Sequence, residues 1–237
     1  MVGDLTGFVA ATYMRGITYI QAPTSLLSFV DSSVGGKTAI NLQEGKNLVG
    51  SFYQPSLCYI NVSAVKTLPE REILCGYGEI VKYAYLSETV SFDLIKNGSL
   101  EDIIYACLKV KASIVSEDEF ESGKRALLNL GHTIGHAIET LSSFSISHGL
   151  SVAKGIGKII EISRKYYGLK KEVVDKLYNL LKAFPFDLKI DFSDSDIADK
   201  ILSDKKVKNG YVNFVLIKDV GDVRIEKIAI SEIKNIL

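Results

Sequence analysis

The strongest helical pattern in this 237-residue chain lies in the segment Leu127-Leu-Asn-Leu-Gly-His-Thr-Ile-Gly-His-Ala-Ile-Glu-Thr-Leu141. Apolar residues recur on one face at intervals of three or four, namely Leu127, Leu130, Ile134, Ile138 and Leu141. That spacing predicts an amphipathic helix over 127–141. A different face holds His132 and His136, two of the three histidines, one turn apart. The segment therefore predicts a helical domain with titratable side chains on one helix face.

Polar residues extend this face at spacings of three or four residues. They are Glu121, Arg125, Asn129, His132, His136 and Glu139. A solvated helix face would explain such a stripe, but solvated faces are usually rich in Lys and Glu. The histidines, arginine and asparagine favour a functional face instead. The pair Ser122-Gly123 is a helix-breaking signal that separates Glu121 from the rest of the stripe.

The remaining pattern divides the chain near residue 62. In 1–62 a helix over 3–15 and short strands over 17–22 and 57–62 enclose a glycine-rich loop, which predicts part of an α/β layer. From residue 63 the pattern is mostly helical. The first predicted helix follows a capping box at Thr67-Leu-Pro-Glu70 and carries the apolar residues Ile73, Tyr77, Ile80 and Ala84. Five further predicted helices cover 99–117, 127–141, 149–167, 172–184 and 194–202. A hairpin over 211–217 and 223–228 comes last.

Composition excludes several classes of protein. Lys+Arg and Asp+Glu balance at 28 each, so net charge gives no reason to expect nucleic acid or a membrane surface as partner. No apolar run approaches the roughly 20 residues that span a bilayer, and the first residues lack a signal-peptide pattern. Cys58, Cys75 and Cys107 form no CxxC pair. They fit reduced thiols, and we expect a cytoplasmic protein.

Other charged residues are ambiguous when they are considered alone. Lys111 lies on an apolar helix stripe, where it either snorkels to solvent or lines an anion pocket. Glu79 and Lys82 are spaced like an exposed ion pair, and His148 resembles a capping or core histidine.

Two known motifs are incomplete. A phosphate loop at 35–38 needs glycine where Asp31 stands, and the zincin spacing of His132 and His136 lacks its glutamate.

Several segments, in order, carry a resemblance to a known family. They are 2–16, Pro23-Thr-Ser-Leu-Leu27, Val30-Asp-Ser-Ser-Val-Gly-Gly-Lys-Thr38, Gly45-Lys-Asn-Leu-Val-Gly-Ser-Phe-Tyr-Gln-Pro55, Gly78-Glu-Ile-Val-Lys-Tyr83, Asn129-Leu-Gly-His-Thr-Ile-Gly-His-Ala-Ile-Glu139, His148-Gly149 and Asp204-Lys-Lys206. Together they resemble the 3-dehydroquinate synthases over nearly the whole chain. The resemblance implies the C-terminal part of a Rossmann-like, NAD-binding α/β domain in 1–62. A mostly helical domain that binds metal and substrate would follow in 63–237.

The resemblance also implies a metal site and a reaction. Glu79, His132 and His148 would bind a catalytic divalent metal, zinc or cobalt, with open positions for substrate hydroxyls. The substrate would be 3-deoxy-D-arabino-heptulosonate 7-phosphate, and the product 3-dehydroquinate. NAD would accept a hydride and return it after phosphate is eliminated, before ring opening and aldol closure. The enzyme would thus be a carbon–oxygen lyase of the shikimate pathway.

Further residues take roles from the same resemblance. Positive charge for the substrate's carboxylate and phosphate would come from Lys37, Lys82, Lys111, Arg125 and one of Lys205 and Lys206. His136, with Glu121, would face the phosphate side and move protons, while Asn47 and Asn129 would orient hydroxyls. Arg15 would reach the site of a second subunit in a homodimer. The nicotinamide half of NAD would contact Asp4, Thr24, Ser25, Asp31, Lys37, Lys46, Ala64, Val65, Lys66 and Thr67.

Departures from the family pattern leave alternatives open. Leu150 and Cys75 stand where relatives commonly have Glu and a small or amide residue, respectively. Relatives also have strands, helices and a glycine-rich turn before the position of Val2, so we expect this chain to bind NAD poorly. An inactive fragment or non-catalytic remnant is one alternative. A related sugar-phosphate cyclase or a glycerol-type dehydrogenase is another.

Overall fold

The first part of the fold is a small α/β layer. We describe a computed structural model of the chain, covering residues 2–43, 45–203 and 210–237. The elements are α1 (Val2–Thr12), β1 (Ile20–Gln21), β2 (Lys37–Leu42), β3 (Gly45–Phe52) and β4 (Leu57–Cys58). Single helical turns occupy Tyr13–Arg15, Ser28–Ser32 and Val62–Thr67. Strand β1 pairs in parallel with β4, and β2 pairs antiparallel with β3.

Helices dominate the rest of the chain. They are α2 (Glu70–Leu86), α3 (Phe92–Asn97), α4 (Leu100–Glu117), α5 (His132–Leu141), α6 (His148–Tyr167), α7 (Lys171–Leu181), α8 (Asp194–Ser203) and α9 (Ile233–Ile236). The hairpin of β5 (Tyr211–Asp219) and β6 (Asp222–Ala229) precedes α9. Short 3-10 turns cover Lys124–Asn129 and Ile230–Glu232. Within the described ranges, none of the helices is long and apolar enough to cross a membrane.

Most predicted helices are confirmed, but two local predictions are wrong. The helix expected over 127–141 is interrupted, because Gly131 adopts a left-handed conformation (φ 76°) between the turn Lys124–Asn129 and α5. The polar stripe therefore does not lie on one continuous helix. The capping box also fails. Thr67 donates a hydrogen bond to the Ala64 carbonyl in the preceding turn, and α2 has no side-chain cap at Pro69.

The region expected to be a glycine-rich loop contains the β2–β3 hairpin. Strand β3 is mostly exposed and offers no alternation of buried and exposed residues, so the period-two signal of a strand is missing. The strand expected over 57–62 is limited to β4, and residues 59–61 connect it to the turn Val62–Thr67 without regular structure.

One apolar core joins the two parts. Leu26, Phe29 and Val30 of the first part belong to the same buried cluster as Ile80 of α2 and Ile134 of α5. Helices α2 and α6 approach so closely that their backbones touch at two glycines. A Cβ on Gly78 would lie 2.0 Å from the Gly149 carbonyl oxygen, and one on Gly149 would lie 1.8 Å from the Cys75 carbonyl oxygen. This contact places the residue after Gly78 beside the start of α6.

We expect Gly78→Ala to destabilise the protein by about 1–3 kcal/mol, because the added methyl forces the helices apart. Gly157→Ala is the matched control within α6, where a Cβ would meet only Leu181 Cδ2, at 3.7 Å. That change should stabilise the helix by about 0.5–1 kcal/mol. Urea unfolding measures both free energies. Shifts of the same sign and size would contradict the proposed backbone contact.

Candidate metal centre and anion site

Three helices bring Glu79, His132 and His148 to one point. Glu79 lies within α2, whereas His132 and His148 are the first residues of α5 and α6. Their ligand atoms all lie within 4.8 Å of one another. Glu79 Oε1 is 3.1 Å from His148 Nε2 and 3.5 Å from His132 Nε2. Two imidazoles and a carboxylate form the donor set of a catalytic zinc-type site, so these residues fit a divalent metal.

The other ring nitrogen of each histidine is also engaged. His132 Nδ1 lies 3.0 Å from the Leu130 carbonyl oxygen, and His148 Nδ1 lies 3.3 Å from Glu139 Oε2. Both acceptors favour a proton on Nδ1, which leaves Nε2 of each ring directed at Glu79. Metal-binding histidines are oriented by such acceptors. The arrangement thus presents two nitrogens and one carboxylate to a common centre.

Burial and neighbouring charges set the protonation of these groups. Burial alone would raise the pKa of Glu79, but the charge of Lys82, together with the hydrogen bond from His148, holds this pKa well below its ordinary value. Burial lowers the pKa of His132 to about 3, so this ring is neutral. Burial opposes charge on His148, yet its contacts with Glu139 and Glu79 raise its pKa to about 10. Without a metal, His148 is therefore an imidazolium between two carboxylates.

A second cluster of charges adjoins this group. Lys82 Nζ lies 2.5 Å from Glu79 Oε2 and 3.2 Å from Asp31 Oδ1, so it bridges the two carboxylates. Lys111 Nζ lies 3.1 Å from Asp31 Oδ1 and donates to the Asp31 carbonyl at 2.5 Å, while Tyr83 donates its hydroxyl to the same carboxylate. Burial works against ionisation of Asp31, but Lys111 and Lys82 hold its pKa well below the usual range. Two buried ammonium groups are thereby kept beside the candidate metal ligands.

Glu121, Lys37 and Asn129 form a third group. Lys37 donates to one Glu121 oxygen, and Asn129 Nδ2 donates to the other at 2.6 Å. Glu121 has a left-handed backbone (φ 58°), which returns its side chain toward Asn129 after the helix break. Although a helix break separates Glu121 from the other polar residues in the sequence, the loop after α4 brings its carboxylate into contact with Asn129.

Arg125 is buried, with 1% of its surface exposed. Its guanidinium donates to the Gly35 carbonyl at 2.6 Å and to the Glu119 carbonyl, and it lies 5.4 Å from the centre of the Phe52 ring. The positive charge is therefore satisfied by backbone oxygens in this conformation. It connects the turn Lys124–Asn129 to the glycine-containing segment before β2.

Other predicted site residues occupy several elements. The ring of His136 lies 5.4 Å from that of His132 and 5.9 Å from that of His148, centre to centre. Lys46 lies 3.7 Å above the Phe144 ring, and Asn47 donates its backbone N–H to Asn41. Asp4 lies in α1, whereas Thr24 and Ser25 lie between β1 and the turn Ser28–Ser32. Ala64, Val65, Lys66 and Thr67 form the turn before α2, and Arg15 is exposed after α1. Lys205 and Lys206 lie outside the described residues.

Two neighbours of the site were missed by the sequence reasoning. Tyr83 directly follows Lys82, its buried ring lies 4.6 Å from Lys82 Nζ, and its hydroxyl donates to Asp31. Glu139 stood in the polar stripe, but no role was assigned to it. Its position seven residues after His132, two helical turns, is the signal that would have placed both on one face.

Comparisons with known proteins identify the family of this chain. Residues 1–75 match the family described as "3-dehydroquinate synthase N-terminal", and residues 76–207 match "3-dehydroquinate synthase C-terminal". The predicted domain boundary at 62/63 stays a prediction. Curated 3-dehydroquinate synthases from Desulforamulus reducens and Thermodesulfovibrio yellowstonii are 44% and 42% identical to the chain. The alignments cover 96% and 100% of this chain, and 67% and 70% of those proteins.

Solved structures give the same fold. A 2-deoxy-scyllo-inosose synthase, complexed with carbaglucose-6-phosphate, NAD+ and Co2+, is 28% identical, with a TM-score of 0.86 over 99% of this chain and 69% of that one. A 2-epi-5-epi-valiolone synthase from Streptomyces hygroscopicus, with NAD+ and Zn2+ bound, has a TM-score of 0.84 over 98% and 69%, at 20% identity, and shows the fold alone. The expected fold, the end of a Rossmann-like α/β domain followed by a helical domain, is confirmed. Since the two family matches together account for residues 1–207 and the curated relatives exceed 40% identity, the chain belongs to the 3-dehydroquinate synthase family.

Proposed function

We propose that this chain carries the metal- and substrate-binding machinery of 3-dehydroquinate synthase, which converts 3-deoxy-D-arabino-heptulosonate 7-phosphate to 3-dehydroquinate and phosphate. The observation that carries the proposal is the convergence of Glu79, His132 and His148 beside two buried lysines. A carboxylate and two imidazoles suit a catalytic metal, and the lysines suit an anionic substrate. The relatives cited above support the same reaction.

Glu79, His132 and His148 would hold the divalent metal, zinc or cobalt. A bound divalent metal lowers the pKa of a coordinated alcohol. Lys82 keeps Glu79 and Asp31 ionised by lying between them, so a carboxylate is available as a ligand without first losing a proton. Burial keeps His132 neutral and ready to donate its Nε2 lone pair. The protein part of the site is thus largely preorganised.

The anionic substrate would be bound by exchange of charge partners. Lys111 and Lys82 now share Asp31, and Lys37 pairs with Glu121. A substrate carboxylate or phosphate would take over some of these contacts, and Arg125 would add a planar donor pair. Asp31 and Glu121 would then be free to accept hydrogen bonds from substrate hydroxyls or to move a proton, with His136 near the phosphate. Asn129 and Asn47 would orient hydroxyls.

NAD would be the second cofactor, because the 2-deoxy-scyllo-inosose synthase described above is complexed with NAD+ as well as with Co2+ and carbaglucose-6-phosphate. It supplies a hydride acceptor when bound. The residues proposed to meet its nicotinamide half are Asp4, Thr24, Ser25, Asp31, Lys37 and Lys46, with Ala64, Val65, Lys66 and Thr67 of the turn before α2. A homodimer, with Arg15 reaching the second subunit's site, and a cytoplasmic location complete the proposal.

A glycerol-type dehydrogenase is the main alternative. A probable glycerol dehydrogenase from Sinorhizobium meliloti has a TM-score of 0.56 at 12% identity, which shows a related fold and no more. Glycerol is neutral and gives a protein no reason to bury Lys82 and Lys111 beside the metal ligands. The cations therefore favour the sugar phosphate.

Replacement of histidines tests which group of residues binds the metal. His132→Ala should weaken Zn2+ binding by more than about 100-fold, beyond the 10–100-fold loss typical when only a neighbour of a ligand is changed. His136→Ala is the matched control, since His136 belongs to a different donor group, with Glu139 and His148, and should cost less than about tenfold. Competition with a chelating dye measures both dissociation constants. The reverse order would assign the metal to the other group.

Metal binding should release about one proton per ion near pH 7.5, because the ion replaces the Nε2 proton of His148. The pKa of His148 is raised to about 10, so this proton is present at neutral pH and competes with the metal. Deprotonation of His148 should therefore raise the apparent affinity for the metal about tenfold for each unit by which the pH increases, up to about pH 10. Calorimetry in buffers of different ionisation enthalpy counts the protons. Release close to zero would show that His148 is neutral or is not a ligand.

Lys111→Met should weaken binding of the sugar phosphate to the Zn2+-loaded protein by about 2–5 kcal/mol, because an anion loses a buried charge partner. Lys124→Met is the control, since Lys124 pairs with Glu117 in an exposed position and should change nothing. Calorimetric titration gives both affinities, and thermal unfolding verifies the fold. Equal binding by both variants, or tighter binding of glycerol than of the sugar phosphate, would favour the dehydrogenase.

A further inference from the structure

One buried carboxylate beside the metal ligands has no role in the proposed reaction. Glu139 lies on α5, two turns after His132, and only 8% of its surface is exposed. Its Oε2 is 3.3 Å from His148 Nδ1, on the side of the ring opposite the Nε2 that faces Glu79. The imidazole of His148 therefore stands between two carboxylates from two different helices.

His148 is the metal ligand that packing restrains least. Its side chain is 31% exposed, against 12% for His132 and none for Glu79. His132 already has an acceptor for its Nδ1 proton in the carbonyl of Leu130, two residues earlier in the sequence. His148 begins α6, and the corresponding acceptor is Glu139 on the neighbouring helix. A more exposed ring needs such a partner to stay in one orientation and one tautomer.

We propose that Glu139 is a positioning residue for the metal site: its carboxylate accepts the Nδ1 proton of His148 and thereby directs Nε2 toward the ion held with Glu79 and His132. This inference rests on the proposed metal-dependent function. Glu139 touches neither the metal nor the substrate in this role. It acts only through His148.

A second cation is the competing explanation, because His136, Glu139 and His148 also have ligand atoms within 4.8 Å of one another. Both groups share His148. Two ions would therefore require its ring to lose the protons of both nitrogens at once. A single ion needs only the Nε2 lone pair and keeps the hydrogen bond to Glu139. The chemistry of one shared imidazole thus favours a carboxylate that orients the ligand.

The test is titration of the whole chain with Co2+, followed by its visible absorption, in the wild type, Glu139→Ala and Glu139→Gln. Loss of the partner should weaken Co2+ binding by about 10–100-fold in the alanine variant and change the absorption bands. The glutamine variant keeps an acceptor oxygen without the charge, so it should lose less Co2+ affinity than the alanine variant. Because glutamine preserves the shape of the side chain, it remains informative if the alanine variant does not fold.

Glu161→Gln is the matched control. Glu161 lies on α6 and accepts a hydrogen bond from Tyr178, away from the metal ligands, so its loss should leave Co2+ affinity and spectrum unchanged. Wild-type affinity and spectrum in both Glu139 variants would overturn the positioning role alone. Two Co2+ ions per chain, reduced to one in Glu139→Ala, would overturn it in favour of a second cation. Failure of the wild type to bind Co2+ would overturn the proposed function and this inference with it.

Discussion

The site depends on the direct backbone contact between α2 and α6 at Gly78 and Gly149. Each glycine adjoins a predicted metal ligand, Glu79 in one helix and His148 in the other. Because no side chain separates the helices there, Glu79 Oε1 comes within 3.1 Å of His148 Nε2. A methyl group at either glycine would push the two ligands apart. The same contact between the two helices therefore determines both the packing of the core and the geometry of the candidate metal centre.

Charge balance is the second requirement of this interior. Ionised groups are costly to bury unless they are paired, and here carboxylates and ammonium groups alternate from Glu79 through Lys82 and Asp31 to Lys111. The same alternation suits the proposed reaction. An incoming anion can replace a carboxylate without leaving either lysine unpaired, and the metal can replace the Nε2 proton of His148. Before any ligand binds, Asp31 thus occupies the place of the substrate's negative charge, and the Nε2 proton of His148 occupies the place of the metal's positive charge.

Sequence patterns predicted the elements whose signals are local. Helix α4 begins at Leu100, within one residue of its predicted start, and the β5–β6 hairpin turns where expected. The break before α5 was not predictable, because Gly131 adopts its left-handed conformation where a Cβ would collide with Val152 and Ile156 of α6. The candidate metal ligands were predicted from family motifs rather than from periodicity, since Glu79 and His148 are 69 residues apart. Glu139 and Tyr83 gain their importance only from contacts between helices.

We propose that one divalent ion is bound jointly by Glu79, His132 and His148. Anomalous diffraction from crystals soaked in Zn2+, recorded on both sides of the zinc edge, tests it most directly. We expect one strong peak about 2.0–2.2 Å from a Glu79 oxygen and from Nε2 of both histidines. A peak between His136, Glu139 and Nδ1 of His148, with none at Glu79, would contradict it.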